Sequence, residues 1–364
     1  MLKRAPGDLD PSPREPRVTT AHINRVATAV PDNDVHDVFV GFARSLLDDP
    51  RAQGVFDKMA QKAQIAHRYS CLPQDDAERV YGRGESPTTA QRMQLFEKHA
   101  APLAVRTVGK LDLGADAARV SHLIVTSCTG MYAPGLDLDL VAECGLGPSV
   151  ERTMVGFMGC YAAINALKLS RHIVRSDPDA RVLVVNLELC SLHLQRVKSL
   201  EQVLSFLVFG DGCAAALVTA DPVGLAMDRF HAALVPDTRG LITWKVRDIG
   251  FDMFLSGRVP GAISQGLSAV GGDILEGAPA AAIDLWAVHP GGRSVLDAVE
   301  RGMGLAPEVL SASRRVLLDH GNMSSATVMF VLQRVMAAAA TDQRGCAMSF
   351  GPGLTAETML FHAV

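Results

Sequence analysis

Apolar residues recur along this chain in two rhythms. "HLIVTSC" (122–128) and "RVLVVNLEL" (181–189) are nearly unbroken apolar, β-branched runs of strand length, the pattern of strands covered on both faces. Between them, "YAAINALKLSRHIVRS" (161–176) repeats its apolar positions at helical spacing and stops at "SDPDA". Strand, helix, strand at this spacing predicts a parallel α/β sheet with crossover connections. "FGDGCAAALVTA" (209–220) reads as a glycine turn feeding another apolar strand.

The last third of the chain echoes this order. "AIDLWAVHP" (282–290) reads as a strand stopped by proline and glycines, and "SSATVMFVLQRVMAAAA" (324–340) as a strongly apolar helix. "CAMSFGPGLTAETMLFHAV" (346–364) reads as a glycine turn followed by a final strand. A duplicated α/β domain follows, with the join near 220–230: a flexible arm over 1–20, one half over 21–222 and a second over 223–364. The echo lies in the order of elements; no residue-level repeat supports it.

Composition narrows the class without naming a function. With 364 residues and 48% hydrophobic content, the chain has ample core. A net charge of -4 with interspersed signs gives no reason to expect nucleic acid or an anionic membrane surface as partner. No apolar run approaches the roughly 18 residues of a membrane span, so no integral membrane association is expected. The N-terminal stretch carries charges and prolines rather than a signal-peptide core. Seven scattered cysteines with no CxxC pair argue against a metal site and for reduced thiols in the cytoplasm.

Three places combine a reactive side chain with a sharp turn. Cys160, in "VGFMGCYAAINALK", precedes a helix whose first N–H groups favour thiolate over thiol; the bland reading is a buried structural cysteine. His289, in "WAVHPGG", ends a buried strand, where open α/β sheets place ligands; the alternative is a satisfied core histidine. Asn322, in "DHGNMSSATVMF", opens a helix, either as a cap or as an amide donor to an oxyanion. Nucleophile, histidine and amide together suggest acyl transfer through a thioester, although spacing alone does not bring them together.

The ordered motifs "HLIVTSCTGMYAPG", "FMGCYAAINAL", "RVLVVNLELCSLH", "VFGDGCAAALV", "VHPGGRSVLD", "GNMSSATVMFVL" and "SFGPGLTAE" make the chain resemble a type III polyketide synthase. This is the chalcone-synthase-like branch of the thiolase superfamily, and the resemblance runs from about residue 20 to the C-terminus. It implies a thiolase-like duplicated αβαβα layered fold of the α/β class, and a homodimer acting on an acyl-CoA starter and malonyl-CoA. No metal or redox cofactor is implied.

Residue by residue, the resemblance makes Cys160 the acyl acceptor, with His289 and Asn322 assisting decarboxylation and stabilising the enolate. Phe209 matches the gatekeeper aromatic, Lys58 and Lys62 the basic residues for CoA phosphates, and Phe350, Gly351, Pro352 and Gly353 the cavity-floor loop. The chain departs from the plant pattern at Met253 (second gatekeeper), Ala133 (the residue offered to the partner's cavity), and Cys128 and His193 (cavity threonines). These departures point away from the flavonoid reaction and towards an aliphatic starter, with closure to a pyrone or phenolic ring. The alternatives are a β-ketoacyl carrier-protein synthase III or stand-alone ketosynthase making one condensation, and a catalytically silent scaffold of the same fold.

Overall fold

Strand Val182–Leu189 shows why its sequence is apolar throughout. Val182 and Val184 enter one core, whereas Leu183, Val185, Leu187 and Leu189 enter another on the opposite face. A strand packed on both sides has no solvent face to make polar. Its two exceptions, Asn186 and Glu188, are themselves buried and mark the edge of the functional site.

The structure, a computed structural model, describes residues 19–77, 80 and 86–364. The arm expected over 1–20 therefore lies, apart from its last two residues, outside the described residues. Among the described residues the strands are β1 (His22–Ala29), β2 (Asn33–Asp34), β3 (Tyr69–Ser70), β4 (His122–Ser127), β5 (Glu151–Gly156), β6 (Val182–Leu189) and β7 (Asp211–Thr219). They continue with β8 (Leu225–Leu234), β9 (Ile242–Arg247), β10 (Gly250–Leu255), β11 (Leu285–Val288), β12 (Arg344–Gly351) and β13 (Thr355–Ala363).

Nine of these form one sheet in the order β11-β12-β13-β8-β1-β7-β6-β4-β5. The two halves meet at β1 and β8, which pair only at His22–Ala226 and Ile23–Leu225. Outward from that seam, each half places its first strand, then its last, then the one before it. The duplication therefore exists in topology, where side-chain identity hid it.

Two helices, Ala162–Ser176 and Thr327–Ala338, form the middle layer. Ile164 and Leu167 of one and Val328 and Val331 of the other share a core with Val182, Val184, Ala347 and Met359, strand residues from both halves. Outside the first half, helix Thr89–Gly109 packs Phe96 and Leu103 against Leu183 and Val185. Outside the second, Ile263, Leu267 and Leu296 cover Cys346 and Met348. The two halves of the sheet thus face each other across the middle helices with a helix layer outside each, the layered α/β order that the resemblance implies.

Two expectations are corrected. The sheet is mixed: β4–β5, β4–β6 and β11–β12 are parallel, but β7 runs antiparallel to both β6 and β1. The stretch 346–364 contains two strands, because β12 already occupies Arg344–Gly351 before the glycine turn. Only Pro352–Leu354 separates β12 from β13, far too short for a crossover, so the pair must be antiparallel.

Leu167 is fully buried between the two halves of the sheet. Leu167→Ala should lower the unfolding free energy by about 2–5 kcal/mol, whereas Val223→Ala, at an exposed position, should change it little. Urea denaturation of the two variants checks the contrast.

Candidate active site

Cys160 sits in the one-turn 3-10 segment Gly159–Tyr161 that leads into the first middle-layer helix. The turn requires glycine at 159: φ is 78°, and a Cβ there would stand 2.2 Å from Pro352 Cδ. Gly159 N–H donates to Cys128 Sγ at 3.0 Å, which ties the turn to the end of β4. Phe157 and Ser324 also hold positive φ, at 56° and 48°, so backbone strain concentrates beside this cysteine.

The second half supplies the other two residues from the equivalent places. His289 follows β11 directly, and its N–H donates to Met348 O at 2.8 Å. Its side chain is buried with both ring nitrogens lacking a protein partner. Burial alone lowers its pKa to about 3, so the imidazole is neutral. Asn322 precedes the second middle-layer helix. Its backbone forms a parallel bridge with Phe209, donating to Val208 O at 2.7 Å and accepting from Gly210 N–H at 3.0 Å. Its Oδ1 accepts Ser324 N–H at 2.8 Å, while Nδ2 donates to Gly291 O at 3.1 Å. The amide thus spans from the turn before the second middle-layer helix to the loop after His289.

Cys160 opens onto a cavity lined also by Cys128, Cys190, His193, Phe209, Trp244, Met253, Ser324 and Pro352. His289 and Asn322 are buried and do not line it. Of the expected cavity residues, Cys128, His193, Phe209, Met253 and Pro352 line it. Phe350 instead packs into the outer core of the second half, and Gly351 and Gly353 flank the turn without lining the cavity. Ala133 is exposed and does not reach this chain's own cavity. Lys62 lines a neighbouring outer groove of about 650 Å³ with Met59, Val208, Gly292 and Arg293; Lys58, on the same helix Pro50–Ala63, does not.

Burial pushes the Cys160 thiol up to about 12, and the nearby Glu188 carboxylate pushes the same way. The Ser324 and Asn322 side chains and the cysteine's own N–H pull against this but do not prevail. A helix N-terminus contributes a partial charge, and here desolvation outweighs it.

Sequence reading missed three residues that shape the site. Glu188 is fully buried and accepts from Cys128 N–H at 2.9 Å, Thr129 Oγ1 at 2.9 Å and Ser325 Oγ at 2.5 Å; burial raises its pKa to about 7. An acid inside an otherwise apolar strand was a visible signal. Trp244 closes one side, its Nε1–H donating to Cys128 O at 2.7 Å. Ser324 lies on the cavity beside Cys160, and nothing distinguished it from an ordinary helix-start serine. His193 is locked as one tautomer: Nε2–H donates to Thr129 O at 2.6 Å and Nδ1 accepts Phe251 N–H at 3.1 Å. Its ring stacks on Phe251 with centroids 4.1 Å apart.

Comparison with known proteins places this arrangement. The models "Chalcone and stilbene synthases, N-terminal domain" and "C-terminal domain" match residues 18–222 and 227–364. The chain belongs to the chalcone and stilbene synthase family. It is a type III polyketide synthase, an acyltransferase of a family that uses acyl-CoA and malonyl-CoA. An alpha-pyrone synthesis polyketide synthase-like protein, Pks18 of Mycobacterium tuberculosis, is 34% identical over 97% of this chain and 93% of its own. Bisdemethoxycurcumin synthase of Oryza sativa subsp. japonica is 33% identical over 85% and 83%. Among solved structures, PKS-I of the brown alga Ectocarpus siliculosus is 29% identical, with a TM-score of 0.83 over 96% of this chain and 100% of that one. The type III domain of Steely1 from Dictyostelium, at 23% identity and a TM-score of 0.86 over 95% and 99%, shares the fold.

For this synthase, the raised Cys160 pKa gives a directional expectation. Below that pKa the thiolate fraction grows about tenfold per pH unit. Iodoacetamide modification of Cys160, followed by peptide mass spectrometry, should therefore keep accelerating from pH 7 to 9. A plateau below pH 8 would mean that the free enzyme already carries the thiolate.

Proposed function

We propose that Cys160 accepts the starter acyl group and that His289 and Asn322 serve the extender. The observation that carries this is the His289 imidazole, buried and neutral with both nitrogens unpartnered, directly after a strand and beside the Gly291 carbonyl that Asn322 holds. A buried donor without a partner costs about 1–3 kcal/mol, a cost that a thioester carbonyl accepting its hydrogen bond would remove.

In this reading Cys160 gives up its proton as its sulfur attacks the acyl-CoA carbonyl, and CoA leaves as the thiol. Malonyl-CoA then loses CO2, and the resulting enolate oxygen is held by the His289 and Asn322 N–H groups. The enolate carbon attacks the Cys160 thioester and expels the thiolate, so the chain gains two carbons and resides on CoA. Thioester chemistry and decarboxylation supply the driving force, and the reading calls on no metal or redox group.

In this reading the CoA arm lies in the outer groove, where Lys62 offers positive charge and Arg293 is paired with Asp297, and Phe209 and Met253 of the cavity lining serve as gatekeepers. Trp244, Phe209 and Met253 make the inner surface largely apolar, which suits an aliphatic starter. Closure to a pyrone agrees with the activity named for the Mycobacterium tuberculosis relative. β5 is an edge strand, exposed along most of its length, with Met131, Met154 and Met158 exposed around it. We infer that a second copy covers it, which would also bring Ala133 to the partner. Seven free cysteines suit a reducing cytoplasm; among the described residues no helix is long and apolar enough to cross a membrane.

Cys160→Ala should abolish polyketide formation and leave the fold unchanged. Cys160→Gln should still convert malonyl-CoA to acetyl-CoA without extension; product analysis by mass spectrometry with a panel of acyl-CoAs checks both and identifies the starter. Polyketide from Cys160→Ala would overturn the mechanism. Sedimentation should show a dimer, and Met154→Lys should shift it towards monomer.

A further inference from the structure

Arg68, just before β3, is among the most deeply buried side chains of the protein. Burial draws its pKa down only to about 10, so it remains a cation at neutral pH. A buried charge is expensive unless its donors are met. Here they are met by carbonyls and an imidazole rather than a carboxylate. One terminal nitrogen donates to Phe206 O at 2.6 Å and Phe209 O at 3.1 Å, and Nε donates to His36 Nδ1 at 3.0 Å. The guanidinium carbon also stands 5.6 Å from the ring centroid of Phe39, a cavity residue.

The stem of this arginine lies against two glycines. A Cβ at Gly321 would stand 2.9 Å from Arg68 Cγ and 2.7 Å from Val208 O; one at Gly210 would stand 3.5 Å from Arg68 Cβ and 3.2 Å from His320 O. Gly210 follows Phe209 and Gly321 precedes Asn322, the two residues joined by the parallel bridge. The side chain therefore runs directly beneath that bridge and grips it through the Phe209 carbonyl.

We propose that Arg68 is a positioning residue that sets Phe209 and Asn322 relative to each other, and so couples malonyl decarboxylation to chain extension. This rests on the reading in which Asn322 holds the extender and Phe209 bounds the cavity. Neither residue can slide without breaking a hydrogen bond to Arg68 or across the bridge. A displacement of about 1 Å at a reacting centre is enough to cost about a hundredfold in rate.

The test measures two products in one assay, polyketide and the acetyl-CoA released by unproductive decarboxylation, for Arg68→Lys, Arg68→Met and His36→Ala. Lysine keeps the charge but cannot span both carbonyls and His36, and His36→Ala removes the Nε partner from a half-buried position with little risk to folding. Circular dichroism and thermal melting establish which variants are folded. The polyketide to acetyl-CoA ratio should fall roughly tenfold or more in a folded Arg68 variant, and by less in His36→Ala. A wild-type ratio in every folded variant, with activity tracking only the folded fraction, would overturn the proposal. Cys160→Gln in the same assay separates the two ideas: if it does not decarboxylate malonyl-CoA, the roles given to His289 and Asn322 fail, whatever Arg68 does.

Discussion

Everything at the site depends on two helices packed between the two halves of one sheet. Helices Ala162–Ser176 and Thr327–Ala338 occupy equivalent places in the two halves, and their apolar faces share one core. Their N-terminal ends consequently come to the same end of the sandwich. Cys160 precedes one and Asn322 precedes the other, so the duplication itself brings these two side chains together. Ser325 seals this junction, with Thr126 Oγ1 at 3.2 Å on one side and Glu188 on the other.

Around that junction the protein buries polar groups in three distinct ways. Glu188 is satisfied by an amide and two hydroxyls and stays near neutrality, where it can be charged or protonated. Arg68 remains charged and spends its donors on main-chain carbonyls. His289 has both ring nitrogens without a protein partner, whereas Asn186 and His320 nearby each leave a single atom so. The contrast matters because isolated buried polar atoms are rare in native proteins and are most informative where satisfied neighbours surround them.

The cavity wall opposite Cys160 is rigid for a reason that a residue list does not convey. Trp244 and His193 both hydrogen-bond the backbone of Cys128–Thr129, and His193 stacks on Phe251, two residues before Met253. Fixed aromatic surfaces limit the space beyond the cysteine, whereas Met253 is the adaptable member. The shape of the cavity is therefore set in part by strands β9 and β10 reaching across from the second half to the end of β4.

The chain's own pattern determined the α/β class, the duplicated layout, and the positions of β6, β11 and both middle-layer helices, because strands and helices covered on both faces must be apolar throughout. It also picked out Cys160, His289 and Asn322, each beside a glycine or proline that permits a sharp turn. Strand direction was not legible, since β7 and β13 owe their antiparallel course to the lengths and paths of their connections. Tertiary structure also decided the surroundings of Cys160: the local helix start favours thiolate, but burial by residues distant in sequence pushes the thiol's pKa up. The same holds for Trp244, Ser324 and Arg68, whose neighbours lie far along the chain. Periodicity records which face of an element is buried, whereas a site is a meeting of faces, and only the folded chain brings those together.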